Sequence, residues 1–213
     1  KNPHGEQTIW RSSQPQSGVL NSRCTEDERL VEFIGKSNSV NQNVVIFDAR
    51  PRANAMTNSM AGKGYESTNC YKTSRVLFMN IDNIHKVRDA YRRIVAAVST
   101  PAKNDAQLYS DMGQAQWFHH IHVILKAVVN MVAHIDNEGG SLLCHCSDGW
   151  DRTAPLTSLT KLCVDPFYRT IRGFITLIEH EWLSFGHKFH ERMAQAGAKF
   201  SADQRSPVFL QFL

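Results

Sequence analysis

The sequence predicts an α/β fold, a central mixed sheet flanked by helices, and three observations carry that expectation. Short unbroken apolar runs, Val44-Val45-Ile46-Phe47 and Val76-Leu77-Phe78-Met79, read as buried strands. Longer segments between and after them repeat apolar residues at helical spacing. A third short run, Leu142-Leu143-Cys144, passes through a tight turn into another helical pattern. With 213 residues, 42% hydrophobic and 21% charged, the chain is long enough for one sizeable packed domain.

Taken in order, residues 1–24 are polar and carry Pro3, Pro15 and Gly18, which reads as an irregular lead-in anchored by Trp10. Residues 25–213 form the body. Thr25-Glu26-Asp27-Glu28 is a capping-box pattern, opening a helix from about Glu26 to Ser37 with Leu30, Phe33 and Ile34 along it. The first strand follows, and Pro51 stops it. A short helix is expected from Asn54 to Ala61, then a loop at Gly62 and Gly64. After the second strand, Asn83 begins a helix with Ile84, Val87, Tyr91, Ile94, Val95 and Val98 at helical positions.

Pro101 to Gly113 is polar and reads as a surface connection. A long helix from about Gln116 to Asp136 carries the stripe Phe118, Ile121, Ile124, Leu125, Val128, Val132 and Ile135, read as core packing. Its richest part, Ile121 to Ile135, is interrupted by His122, Lys126, Asn130 and His134, so no stretch is read as spanning a bilayer. Gly139-Gly140 turns the chain into the third strand. A helix after Arg152, running to about Val164, tolerates Pro155 in its first turn. Asp165-Pro166 opens another, reaching about His187, and the tail from Ser201 to Leu213 is expected to be extended.

The strand-turn-helix junction carries the chemistry. Cys146 and Arg152 bracket five residues, with Gly149 in the middle. A strand running into a helix N-terminus leaves backbone N–H groups without partners and forms an anion nest. The same field favours thiolate over thiol at Cys146. Arg152 adds a planar fork for two phosphate oxygens. Thr153 can donate to the thiolate or cap the helix. A nucleophile, an anion cradle and a fixed cation thus fall within seven residues, which suits attack on phosphorus through a phosphocysteine. The spacing alone is not specific. Cys163 and Arg169 repeat it, but that stretch lacks a glycine, carries Phe167 and Tyr168, and follows a helical pattern.

Five cysteines, an odd number without a dense framework, point to free thiols in a reducing compartment. The net charge of +4 is compatible with an anionic substrate or a membrane surface. Cys144-His145-Cys146 is too tight for a zinc set, so neither metal nor other cofactor is expected, and His187 and His190 read as surface or structural. Basic residues are scattered, which argues against nucleic acid.

His145-Cys146-Ser147-Asp148-Gly149-Trp150-Asp151-Arg152-Thr153 resembles the signature loop of the myotubularin family of phosphoinositide 3-phosphatases, relatives of the cysteine-based protein tyrosine phosphatases. Further blocks resemble the family in the same order: Arg11-Ser12-Ser13-Gln14-Pro15, Phe47-Asp48-Ala49-Arg50-Pro51, Asn80-Ile81-Asp82-Asn83-Ile84-His85, Trp182-Leu183-Ser184-Phe185-Gly186-His187 and Arg205-Ser206-Pro207-Val208-Phe209-Leu210-Gln211-Phe212. The resemblance runs from about Trp10 to Leu213. It implies a tyrosine-phosphatase-like fold, with residues 25–213 an excised or minimal catalytic segment, and hydrolysis of the 3-phosphate of phosphatidylinositol 3-phosphate or the 3,5-bisphosphate.

The resemblance also distributes roles. No separate Trp-Pro-Asp acid loop is evident, so the general acid is sought inside the signature, at Asp148 or Asp151. The resemblance favours Asp151, with Asp148 shaping the inositol pocket; the competing reading is that both brace the loop by accepting backbone N–H bonds. Lys188 and Arg192, four apart, are implied to meet a further phosphate, against the alternative of two solvated cations. Family members often carry arginine at the first position, and lysine offers a point charge without a fork. Asn58, Asn83 and the backbone of Ile84 fall near the head group, against the alternative of turn and cap roles. Trp150 lines the mouth. The implied setting is cytoplasmic and peripheral, at endosomal or other phosphoinositide-bearing membranes, with homo- or hetero-oligomers formed through other segments. The competing functions are a phosphoinositide-binding adaptor without turnover and a protein tyrosine phosphatase.

Overall fold

The computed structural model describes residues 6–17, 23–59, 63–101, 104–193 and 201–213. Pro3, Gly18, the expected helix end at Ala61 and the loop position Gly62 lie outside them. Among the described residues the strands are β1 (Ile9–Ser12), β2 (Val44–Asp48), β3 (Ser74–Phe78) and β4 (Leu142–His145), in the order β1-β4-β2-β3. Every pairing is parallel. The α/β expectation with flanking helices therefore stands, but the sheet is parallel and not mixed. Helical crossovers return the chain to the same end before each strand.

The continuous apolar runs have the cause inferred for them. All five residues of β2 and all four of β4 are buried, because both are central strands covered on both faces. Val45, Phe47, Leu142 and Cys144 face one layer, with Ile124, Ala127, Val128 and Met131 of α5 (Trp117–Glu138) and Leu156 of α6 (Thr153–Val164). Val44, Ile46 and Leu143 face the other layer, against Val31 and Ile34 of α1 (Thr25–Lys36). By length and composition α5 is apolar enough to cross a bilayer, contrary to the sequence reading. Its interrupting polar residues fall mostly on one side, while the other side is core of this domain.

Other differences have local causes. The lead-in contains β1, which adds to the sheet edge by pairing Ile9–Ser12 with Leu142–His145. The polar connection contains α4 (Asp105–Ala115), capped by Asn104, whose side chain accepts from the Gln107 N–H at 2.9 Å. The short helix after β2 is α2 (Arg52–Ser59), and Asn83 caps α3 (Ile84–Ser99) as expected. The helix expected from Pro166 to His187 is divided. A 3-10 turn at Pro166–Arg169 gives way to α7 (Ile171–Ile178), restarted by the Thr170 cap on Gly173, and then to a π-helical stretch, Glu179–Ser184. Short helices α8 (Phe189–Arg192) and α9 (Val208–Phe212) follow, so the tail ends in a helical turn and not an extended strand. Trp182 is the hub of this end. It is fully buried, donates to Ser158 at 3.0 Å, and packs against Leu177, Val208 and Phe212.

Candidate active site

β4 carries Cys146 to the carboxyl end of the sheet, and α6 begins at Thr153. Between them the chain folds back tightly. Gly149 has φ of +86°, and a Cβ there would lie 2.6 Å from the Ser12 carbonyl oxygen, so only glycine fits. Its N–H donates to the Cys146 sulfur at 3.2 Å. The Arg152 guanidinium donates to the Ser147 hydroxyl at 2.9 Å, which holds the fork across the loop.

Burial pushes the Cys146 thiol up. The Arg152 charge, the Thr153 hydroxyl and the Gly149 N–H outweigh it, although nearby Asp151 opposes them, and the thiol sits below its ordinary value. The Thr153 hydroxyl is buried and makes no hydrogen bond of normal geometry, so its help is that of a nearby dipole. Cys144, two residues earlier, is the contrast. It is fully buried, and burial outweighs the Arg11 charge and pushes its thiol far up, which makes it inert.

A cavity of about 250 Å³ opens over the sulfur. Its walls include Cys146, Ser147, Asp148, Trp150, Asp151 and Arg152 from the loop, Asn83 and Ile84 from the start of α3, and Lys188 and Arg192. A neighbouring cavity of about 380 Å³ shares Asn83, Ile84, Ser147 and Arg152 and adds Asn58. The fold thus gathers five separated stretches of sequence at one mouth, the fifth being Gln204. Gly149 and Thr153 lie behind it. A larger hollow of about 410 Å³ beside α1 is lined by Arg23, Glu28, Arg29 and Lys72, and Arg23 is already paired with Glu28. No three His, Cys, Asp or Glu side chains among the described residues are grouped to hold a metal.

Several expected contacts are already engaged. Arg192 is 6% exposed and is no solvated cation. Its Nε and Nη2 each donate to one Asp151 carboxylate oxygen at 2.9 Å, and Nη1 donates to the Gln204 carbonyl at 3.0 Å. His187 Nδ1 lies 3.4 Å from the same carboxylate. Burial alone would push Asp151 up, but His187 and Arg192 hold it below the usual carboxylate range. Asp151 is therefore a carboxylate at rest, and an acid role requires it to take up a proton. Asp148 is exposed and makes no hydrogen bond or ion pair among the described residues. Neither aspartate side chain accepts a loop N–H.

Lys188 immediately precedes α8. Its ammonium lies 4.8 Å over the Trp150 ring and 3.5 Å from Glu191. Asn83 Oδ1 caps α3 by accepting from His85 and Lys86, the Ile84 carbonyl accepts from Ser206, and Asn58 donates to Gln14 at 3.1 Å. The cap role holds for Asn83; Ile84 and Asn58 make long-range bonds instead, and all three line the mouth as well.

Sequence reasoning missed the groups behind the loop. Of the two readings for His187, surface or structural, the structural one holds: it is buried and its Nδ1 bonds the Trp150 carbonyl at 2.8 Å, a partner the sequence did not name. Arg11 bonds Gly149 and Glu181. His145 pairs with buried Glu66 at 3.1 Å. Arg11 and His187 fall in blocks already noted, but the bonds join residues 37 to 170 apart, beyond any local pattern.

A family model described as the myotubularin-like phosphatase domain matches residues 1–213. The chain is 45% identical over 96% of its length to a Caenorhabditis elegans protein named phosphatidylinositol-3,5-bisphosphate 3-phosphatase mtm-1, covering 34% of that relative. It is 43% identical over 98% of its length to human phosphatidylinositol-3,5-bisphosphate 3-phosphatase MTMR6, covering 33%. The mouse MTMR2 protein, of the same printed activity, is 42% identical over 99% of the chain, covering 33%. The chain spans about a third of the length of these curated relatives.

Proposed function

This chain belongs to the myotubularin-like phosphatase family, and from that premise we propose that it hydrolyses the 3-phosphate of phosphatidylinositol 3-phosphate and of phosphatidylinositol 3,5-bisphosphate. The observation that carries the reading is a low-pKa Cys146 beneath a turn of free amides with Arg152 across it. The relatives' printed names supply the lipid.

The Cys146 thiolate attacks the 3-phosphorus in line. The S–P bond forms as the P–O bond to inositol breaks. Loop amides and Arg152 stabilise the charge gathering on the equatorial oxygens. The leaving inositol oxygen takes a proton from Asp151. A water then forms a new bond to phosphorus, gives its proton to the Asp151 carboxylate, and the S–P bond breaks to return thiolate and inorganic phosphate. Before the first step Asp151 must exchange its Arg192 pairing for a proton. The exposed Asp148 remains the competing acid. Lys188 beside Trp150 supports a site for a second phosphate at the mouth. The reaction takes place at a phosphoinositide-bearing membrane facing the cytoplasm, endosomal membranes included.

Phosphate release from short-chain phosphatidylinositol 3-phosphate tests the reading, with the 4-phosphate, the 5-phosphate and a phosphotyrosine peptide as controls and Cys146→Ser beside wild type. Release from the 3-phosphate alone, lost in the serine variant, is expected. Preference for the peptide overturns the lipid assignment. Folded protein that releases nothing yet binds the lipid favours an adaptor.

A further inference from the structure

Four carbonyls of the loop are bonded from outside it. His145 Nδ1 bonds the Cys146 carbonyl at 3.1 Å, and the Gln14 backbone N–H bonds that of Ser147 at 3.1 Å. Arg11 Nη2 donates to the Gly149 carbonyl at 2.5 Å, and His187 Nδ1 donates to that of Trp150 at 2.8 Å. The donors come from β1 and the chain just after it, from β4, and from the segment after the π-helical stretch. Each side chain among them is buried or anchored. Arg11 also bonds the Glu181 carboxylate at 2.7 Å and stacks 4.1 Å from the Phe185 ring. The other nitrogen of His145 pairs with Glu66. His187 is clamped edge-on between Trp182 and Phe189.

In a trans peptide the C=O and N–H of one unit point in opposite directions, and the chain has no cis peptide among its described residues. The N–H groups sharing those four planes belong to Ser147, Asp148, Trp150 and Asp151. They point away from the outer donors, and none of them donates to another described group. The sulfur lies on the inner side of the turn, as the Gly149 N–H bond to it shows. A hydrogen bond accepted by a peptide carbonyl strengthens the same peptide's N–H as a donor, and it blocks the unit from flipping.

We propose that Arg11, His145 and His187 are positioning residues of the phosphate loop, whose bonds to its outer carbonyls hold and polarise the inner amides that receive the phosphate. Two of the three bring positive charge to the outer side. Arg11 is always charged. His145 sits in a pair with Glu66 that offsets its burial and keeps it protonated, its pKa pushed up to about 9. The proposal rests on the loop being an anion cradle and is independent of which phosphate ester is hydrolysed.

The test is the affinity for inorganic phosphate, read as protection of Cys146 from alkylation by iodoacetamide. Urea denaturation of the same samples reports folding separately. His187→Phe keeps the aromatic packing and removes the donor. It should weaken phosphate about fivefold, the worth of one ordinary hydrogen bond. His187→Asn returns an N–H near the Nδ1 position and should recover most of that loss. Arg11→Lys keeps the charge beside Glu181 but cannot also reach Gly149, and should weaken phosphate to a similar extent. Folded His187→Phe and Arg11→Lys proteins with wild-type phosphate affinity would overturn the proposal and leave the cradle standing. Wild type that phosphate fails to protect would overturn the cradle and the proposal together.

Discussion

Replacing Arg192 by Met should expose how much the site depends on its buried ion pair. The two side chains are 4% and 12% exposed, and both carboxylate oxygens of Asp151 are engaged at 2.9 Å. Removing one partner from such a pair leaves a charge without compensation, which costs about 3–5 kcal/mol. Arg192 also bonds the Gln204 carbonyl, so the single variant loses more than the pair. A cycle with Asp151→Asn isolates the pairwise part, expected at about 2–3 kcal/mol by urea denaturation at pH 7. The pH dependence has a definite sign. The folded carboxyl is held low, so its stabilising contribution is present above the unfolded value of about 3.9 and is lost as pH falls through the folded one. In Arg192→Met burial prevails and the carboxyl titrates higher. The stability gap between wild type and variant should therefore be widest near pH 7 and narrow towards pH 4. A coupling below about 0.5 kcal/mol, or a gap that ignores pH, refutes the reasoning.

Glu66→Gln tests the buried imidazolium. The pKa of His145 is pushed up to about 9, since Glu66 and then Asp48 outweigh burial, so its contribution is complete below its unfolded value near 6.5 and is lost as pH rises through 9. Urea midpoints at pH 6 and pH 9.5 should fall more in wild type than in Glu66→Gln; equal falls count against the pairing. Gly149→Ala should destabilise by at least about 2 kcal/mol, since φ is +86° and the new Cβ would meet the Ser12 carbonyl. It should abolish phosphate release as well, and wild-type urea stability would contradict the close approach.

What the sequence disclosed was what is encoded over short spans. β2 and β4 are central, so their burial on both faces is written as unbroken apolar runs. The turn from Cys146 to Thr153 holds its nucleophile, glycine and cation within eight consecutive residues. β1 was hidden because Ile9–Ser12 becomes a strand only by joining a partner 133 residues away. α4 carries an Asn104-x-x-Gln107 start signal, but Leu108, Met112 and Ala115 along it are separated by Ser110, Asp111, Gly113 and Gln114. Arg192 reads as half of a basic pair at helical spacing that meets a further phosphate, and only the folded chain turns it inward to Asp151. The same holds for His187, a lone histidine whose use depends on a carbonyl 37 residues earlier.

The dependence of the loop on β1 also has a consequence for the life of the polypeptide during translation. Arg11 leaves the ribosome long before Gly149, the residue whose carbonyl it fastens, 138 positions later. At about 5–20 residues per second the first strand waits roughly 7–27 s for its neighbour. Cys146 follows β4 directly, and until β4 pairs with β1 no turn is held in place to gather charge around its sulfur, so the thiol is an ordinary one until then. Reactivity arrives only with closure of the sheet edge, and an unfinished chain is spared both premature hydrolysis and premature oxidation of its nucleophile.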